Sequence, residues 1–172
     1  FYSVHLLFIN LVTDSLPAIA IGMEKSTRNL LQEKPRDARE SILDTITMKR
    51  IATEGVLIAI VTMIAYFIGL EVSHGLAATL AFATLCLSRL FHGFNCRSKE
   101  FIFNVGLFSN MYSIGAFVIG FILLNSILLL PQLNSLFMVT DITLNQLGII
   151  YLLGFIPTLI IQMNRWMKTN KE

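Results

Sequence analysis

The chain has 172 residues, 55% hydrophobic and only 14% charged, with a net charge of +2 and a mean hydropathy of +0.69. Soluble domains carry roughly 25% charged residues, so composition excludes an ordinary soluble globular domain. The small positive excess is confined to a few clusters and excludes a nucleic-acid-binding surface. Five apolar runs, at about 2–22, 51–70, 76–95, 105–129 and 144–164, are each long enough to cross the hydrocarbon core of a bilayer. The expected fold is all-α, a polytopic membrane helix bundle of five transmembrane helices.

The first span holds Asn10-Leu11-Val12-Thr13-Asp14-Ser15-Leu16-Pro17, one carboxylate, one amide and hydroxyls in an otherwise apolar helix. A carboxylate inside a span costs at least about 2.5–3.5 kcal/mol on insertion scales, so its default meaning is functional. On an α-helix, positions 10, 13 and 14 share a face. Pro17 lacks an N–H, so it deprives the Thr13 carbonyl of its helical partner and predicts a helix break. Asn10, Thr13 and Asp14 would then form a cluster of oxygens of the kind that hard cations need. His5, in the same span, is expected near its outer end.

Residues 23–50 read as a polar loop carrying Lys25, Arg28, Lys34, Arg36, Arg39, Lys49 and Arg50, seven of the 13 basic residues. Pro35 keeps Lys34 out of the α region. Glu54 is expected in the first turn or two of the second span, where the positive helix N-terminus favours an acid. The third span contains Arg89 and His92, the latter read as glue between helices, and Asn95 is expected to cap or to bond across helices. Cys86 and Cys96 lack paired-thiol or zinc spacing and read as small reduced hydrophobes. Arg97 and Lys99 mark a short turn, 96–104. Gly69, Gly75, Gly106, Gly115 and Gly120 indicate turns or close helix packing. Residues 131–143, with no Lys or Arg, read as an outer loop, and Trp166 between Arg165 and Lys168 reads as an interfacial anchor. By the positive-inside rule the 23–50 loop, the 96–104 link and the C-terminal tail are cytoplasmic and the chain starts outside. An opening inside an apolar segment, without an initiator Met, suggests a piece of a longer protein.

Asn10-Leu11-Val12-Thr13-Asp14 followed by Leu16-Pro17-Ala18 resembles the sixth transmembrane helix of P-type calcium-transporting ATPases, with Ser15 where that family usually has Gly. Lys34-Pro35-Arg36-Asp37 resembles the loop that follows, and Leu90-Phe91-His92-Gly93-Phe94-Asn95-Cys96-Arg97 is similar to the eighth helix of plasma-membrane-type and bacterial members. The resemblance covers the whole chain as helices six to ten. It implies that Asn10, Thr13 and Asp14 are ion ligands in the membrane of a cell, with calcium the transported ion and manganese open because its oxygen chemistry overlaps. It also implies ATP and magnesium in further domains, since the family's phosphorylated Asp-Lys-Thr-Gly motif does not occur in these residues. The partners implied are the remaining transmembrane helices, the cytoplasmic domains and the lipid bilayer.

One departure stands out: Arg89 aligns where animal reticulum-type pumps carry a Glu that ligates a second calcium and plasma-membrane types a Gln. A guanidinium has no oxygen to donate and stays charged. Arg89 is therefore expected to modulate the site, as a tethered cation that pairs with Asp14 in place of a second calcium. The bland alternative is an arginine snorkelling to the cytoplasmic face. Two rival classes are a secondary transporter, where broken helices also carry carboxylates, and a structural or regulatory membrane segment.

Overall fold

The computed structural model describes residues 1–24 and 43–169; the Lys34-Pro35-Arg36-Asp37 motif and most of the 23–50 loop lie outside the described residues. Among the described residues, five helical stretches are long and apolar enough to cross a membrane: Ser3–Gly22, Thr45–Leu70, His74–Cys96, Met111–Leu129 and Leu144–Thr169. In chain order they comprise α1 (Ser3–Phe8), a π-helical segment (Ile9–Ser15) and α2 (Leu16–Gly22), then α3 (Thr45–Leu70) and α4 (His74–Cys96). A short α5 (Ile102–Val105) and a 3₁₀ turn (Leu107–Ser109) lead into α6 (Met111–Leu129), α7 (Pro131–Phe137) and α8 (Leu144–Thr169).

The helix ends follow from local chemistry. α3 starts at Thr45, earlier than expected, because Asp44 caps it by accepting from the Thr47 amide at 2.8 Å. Glu54 therefore sits in the third turn, beyond the reach of the helix N-terminus. Ser73 caps α4 through the Leu76 amide at 3.1 Å. The fourth span begins at Met111 instead of 105, because Gly106 takes a left-handed φ of 89° and Asn110 caps the new helix through the Ser113 amide. Residues 131–143 are more than a loop: Pro131 opens the two-turn α7, whose first turn tolerates a residue without an N–H. The last helix runs on to Thr169, straight through the buried Pro157.

α4 is the centre of the bundle. Leu80, Phe82, Leu87 and Leu90 are fully buried, and α3, α6, α8, α2 and the π-helical segment all pack on it. Lipid offers apolar side chains no reason to leave it, so close backbone approach supplies much of the association energy. At Gly69 a β-carbon would lie 2.6 Å from the Ala77 Cα, so only glycine lets α3 and α4 meet there; Gly120 and Gly154 admit Leu90 and Leu87 in the same way. Gly115, by contrast, has nothing within 4 Å of where a β-carbon would lie and contributes no close approach.

The first span and α4 run parallel and in register. His5 stacks on Phe82 with ring centroids 4.3 Å apart, Asp14 meets Arg89, Pro17 abuts Gly93 and Glu24 meets Arg97. This register places the first span's polar motif.

Candidate ion site

The motif Asn10 to Ser15 adopts a π-helix, not a gap in the chain. Pro17 lies at the start of α2, directly after the π-helical segment, and the departure from α geometry is absorbed upstream of it. The Ser15 hydroxyl donates to the Asn10 carbonyl at 2.7 Å, spanning five residues. Such single π-turns recur at functional sites.

The wider winding corrects the expectation that residues 10, 13 and 14 share one face. With i→i+5 spacing, Thr13 turns away from Asn10. Thr13 is buried at 2% exposure and donates its hydroxyl to the Ile9 carbonyl at 2.9 Å. Asn10 and Asp14 are exposed on the side of the first span that no other described helix covers. Among the described residues, no three His, Cys, Asp or Glu side chains gather into a metal site. This face thus offers an amide and a carboxylate, and calcium takes six to eight oxygens.

Arg89 reaches from α4 to this face, and one guanidinium nitrogen contacts both carboxylate oxygens of Asp14. The side chains of Arg89 and Asp14 remain 37% and 44% exposed, so the pair is not sealed within the bundle. No route for Arg89 to snorkel is needed: its charge is met at the level of the motif.

The other polar residues of the spans hold helices together. His92 Nε2 lies 3.4 Å from Glu54 Oε2, and Arg165 approaches the other oxygen of Glu54 at 3.4 Å. These partners, not a helix terminus, explain Glu54. Asn95 donates to Thr158 at 3.1 Å and accepts from Gln162 at 2.7 Å, tying α4 to α8. His5, in the first turn of the span, is fully buried, with Nε2 2.7 Å from the Phe137 carbonyl. Arg165 is more than an interfacial anchor: it donates to the carbonyls of Asn95 and Ser98 at 3.0 and 2.8 Å.

Sequence reasoning missed the clamp at the end of the first span. Arg97 forks onto Glu24 with bonds of 2.9 and 2.8 Å and donates to the Leu107 carbonyl and the Ser109 hydroxyl. Asn110 adds bonds to Glu24 and to the Ala20 carbonyl, at 2.6 and 2.9 Å. The signal was present: an acid directly after one span and an arginine directly after another, both at the same end of the bundle.

The Arg97 guanidinium is the main reason that Glu24 titrates below its ordinary value; burial opposes this and Asn110 assists it. A depressed carboxyl pKa gives stability that is complete above the unfolded-state value and fades as pH falls through the lower folded value. Thermal unfolding of the full-length protein should therefore show the clamp intact at neutral pH and lost only in acid. Glu24→Gln is expected to lower stability by about 1–3 kcal/mol at pH 7 and to flatten that acid-dependent portion; an unchanged acid profile would refute the assignment.

The comparisons with known proteins give the family. A family profile described as "Cation transporting ATPase, C-terminus" matches residues 1–167. The chain belongs to the P-type cation-transporting ATPases, as their C-terminal transmembrane domain. It is 44% identical over 138 residues to a calcium-transporting ATPase of Listeria monocytogenes, covering 80% of this chain and 16% of that protein. Calcium-transporting ATPases of Bacillus cereus and Bacillus subtilis are 32% and 33% identical, over 97% and 92% of this chain. The chain spans only 16–21% of the length of these three relatives. A domain of this family is thus a multi-pass membrane segment of a larger ATPase.

Proposed function

We propose that this domain belongs to an ATP-driven P-type pump that exports calcium from the cytoplasm, and that Asn10, Thr13 and Asp14 supply part of its intramembrane ion site. The observation that carries this is the exposed Asn10–Asp14 face of a π-helical turn inside a membrane span, in a chain similar to calcium-transporting ATPases of three bacteria. Ligands from the remaining transmembrane helices would complete the coordination. ATP and magnesium would act in the pump's cytoplasmic domains, where phosphoryl transfer would drive alternating access.

Within this site Asn10 and Asp14 bind cation through oxygen, and the buried Thr13 can contribute its backbone carbonyl or, after rotation, its hydroxyl. Arg89 holds the place of a second cation beside Asp14, so the pump moves one calcium per ATP. The basic clusters put the 23–50 loop and the C-terminus in the cytoplasm of a cell-membrane protein.

The ion is tested by phosphorylation of the full-length protein from ATP in calcium, manganese, sodium or no added ion. Calcium should support the most phosphoenzyme at the lowest concentration and sodium none. Phosphorylation independent of calcium, or driven by sodium, would contradict the proposal.

A further inference from the structure

A chain of hydrogen bonds runs from Glu54 of α3 through α4 and α8 to the link before α6, and a backbone amide fixes its polarity. The Ile102 N–H, left without a partner inside α5 as the first donor of a helix, donates to Gln162 Oε1 at 3.0 Å. A backbone amide can only donate, so the Gln162 oxygen must face Ile102 and its NH2 group must face Asn95. Gln162 Nε2 accordingly donates to Asn95 Oδ1 at 2.7 Å. That turns the Asn95 NH2 group toward Thr158, at 3.1 Å, and toward His92 Nδ1, at 3.3 Å. Facing a donor, Nδ1 carries no proton, and the proton of the neutral ring sits on Nε2, 3.4 Å from Glu54 Oε2. The chain thus selects one tautomer of His92, the one whose N–H faces a carboxylate.

The same polarity opposes a second proton. A proton on Nδ1 would set N–H against the Asn95 NH2 group. Turning the Asn95 amide to accept it sets donor against donor at Gln162, and turning Gln162 in response takes the acceptor away from the Ile102 amide. Ile102 and Asn95 are buried, at 7% and 1% exposure, so the cost of an unmet donor falls on that amide. His92 is the accessible end of the chain: its side chain is 19% exposed and lies one turn from the end of α4. Among the described residues, the titratable and charged groups around it are Glu54 and Arg50 of α3, Arg165 of α8, and Arg89 and Cys96 of its own helix. Asp14 of the first span is engaged by Arg89, and α6 carries no charged residue. We propose that His92 is a proton-sensitive latch: its second proton reverses the amide chain and frees the Ile102 amide, loosening the link before α6. That link supplies the Leu107 carbonyl and the Ser109 hydroxyl that hold Arg97 beside Glu24, so the latch bears on the end of the first span. It does not depend on which ion is transported, and the two readings fail separately.

Two measurements on the full-length protein test this between about pH 8 and about pH 5.5, a range in which imidazoles titrate and most carboxylates do not. Nitrogen NMR with isotope-labelled histidine, read as the difference from His92→Gln, should show a bare Nδ1 and a protonated Nε2 at the alkaline end, and both protonated at the acid end. Hydrogen exchange of the Ile102 amide, corrected for the intrinsic effect of pH, should rise about tenfold over the same interval, the scale of one lost hydrogen bond. His92→Gln keeps a donor toward Glu54 but cannot titrate, so its Ile102 exchange should not change with pH. Asn95→Asp, whose carboxylate accepts from Gln162 and from His92 alike, should also make Ile102 exchange independent of pH; if that variant does not fold, His92→Gln alone carries the comparison. A proton on Nδ1 and none on Nε2 at the alkaline end would overturn the proposal. So would Ile102 exchange that ignores pH in the unmodified protein, or an equal rise in His92→Gln.

Discussion

Asp14→Asn in the full-length protein is expected to abolish calcium-dependent phosphorylation by ATP at ordinary calcium concentrations while leaving the protein folded. The change removes one negative charge and keeps the side-chain shape, so it isolates the charge. Calcium affinity depends on the number of charged oxygen ligands, and Asp14 is the one carboxylate of the motif. A loss of at least about 100-fold in affinity, about 2.7 kcal/mol, is the expected scale, read as the calcium concentration that half-saturates phosphoenzyme formation. Folding should be spared because the Asp14 side chain is 44% exposed and supports no buried network in this domain. A variant with unchanged calcium dependence would remove Asp14 from the site and favour a merely structural span.

Arg89→Ala has the second largest expected effect. In the proposed site the guanidinium balances Asp14, and its loss leaves that carboxylate to attract a second metal ion, a proton or water. Calcium-stimulated turnover should fall about tenfold, equivalent to about 1.4 kcal/mol in the barrier. Arg89→Lys should recover most of it, because the charge is kept while the planar fork is lost. Recovery by lysine separates a charge role from packing. If Arg89 only reached toward the membrane surface, alanine and lysine would both leave turnover unchanged.

The sequence carried the architecture further than the site. Five apolar runs and the basic clusters between them define the bundle, because membrane insertion is a property of single segments. Helix ends were less legible: whether α3 starts at 45 or 51 turned on one capping bond from Asp44, and the start of α6 on the left-handed turn at Gly106. The polar motif with Pro17 announced an irregular helix, yet its form did not follow, since a break and a π-turn answer the same missing N–H. That choice moved Thr13 off the open face. The Glu24–Arg97 clamp joins residues 73 apart, a pairing that depends on the parallel register of the first span and α4. His5 illustrates the same limit: its burial under Phe82 and Phe137 is tertiary and invisible in its own neighbours.

Tertiary structure also fixes the two ends of the first span. Its N-terminal end is fixed by His5 against Phe82 and the Phe137 carbonyl. Its other end is fixed by Glu24 and Ala20 against Arg97 and Asn110. Between these anchors the π-turn is the one stretch of the span without α-helical winding, which would suit the proposed ion site.

The central claim is that Arg89 takes the place of a second cation, and transport stoichiometry tests it most directly. With the full-length protein reconstituted in sealed vesicles, initial calcium uptake and ATP hydrolysis are measured together. The account predicts one calcium ion moved per ATP with Arg89 intact; two calcium ions per ATP would contradict it.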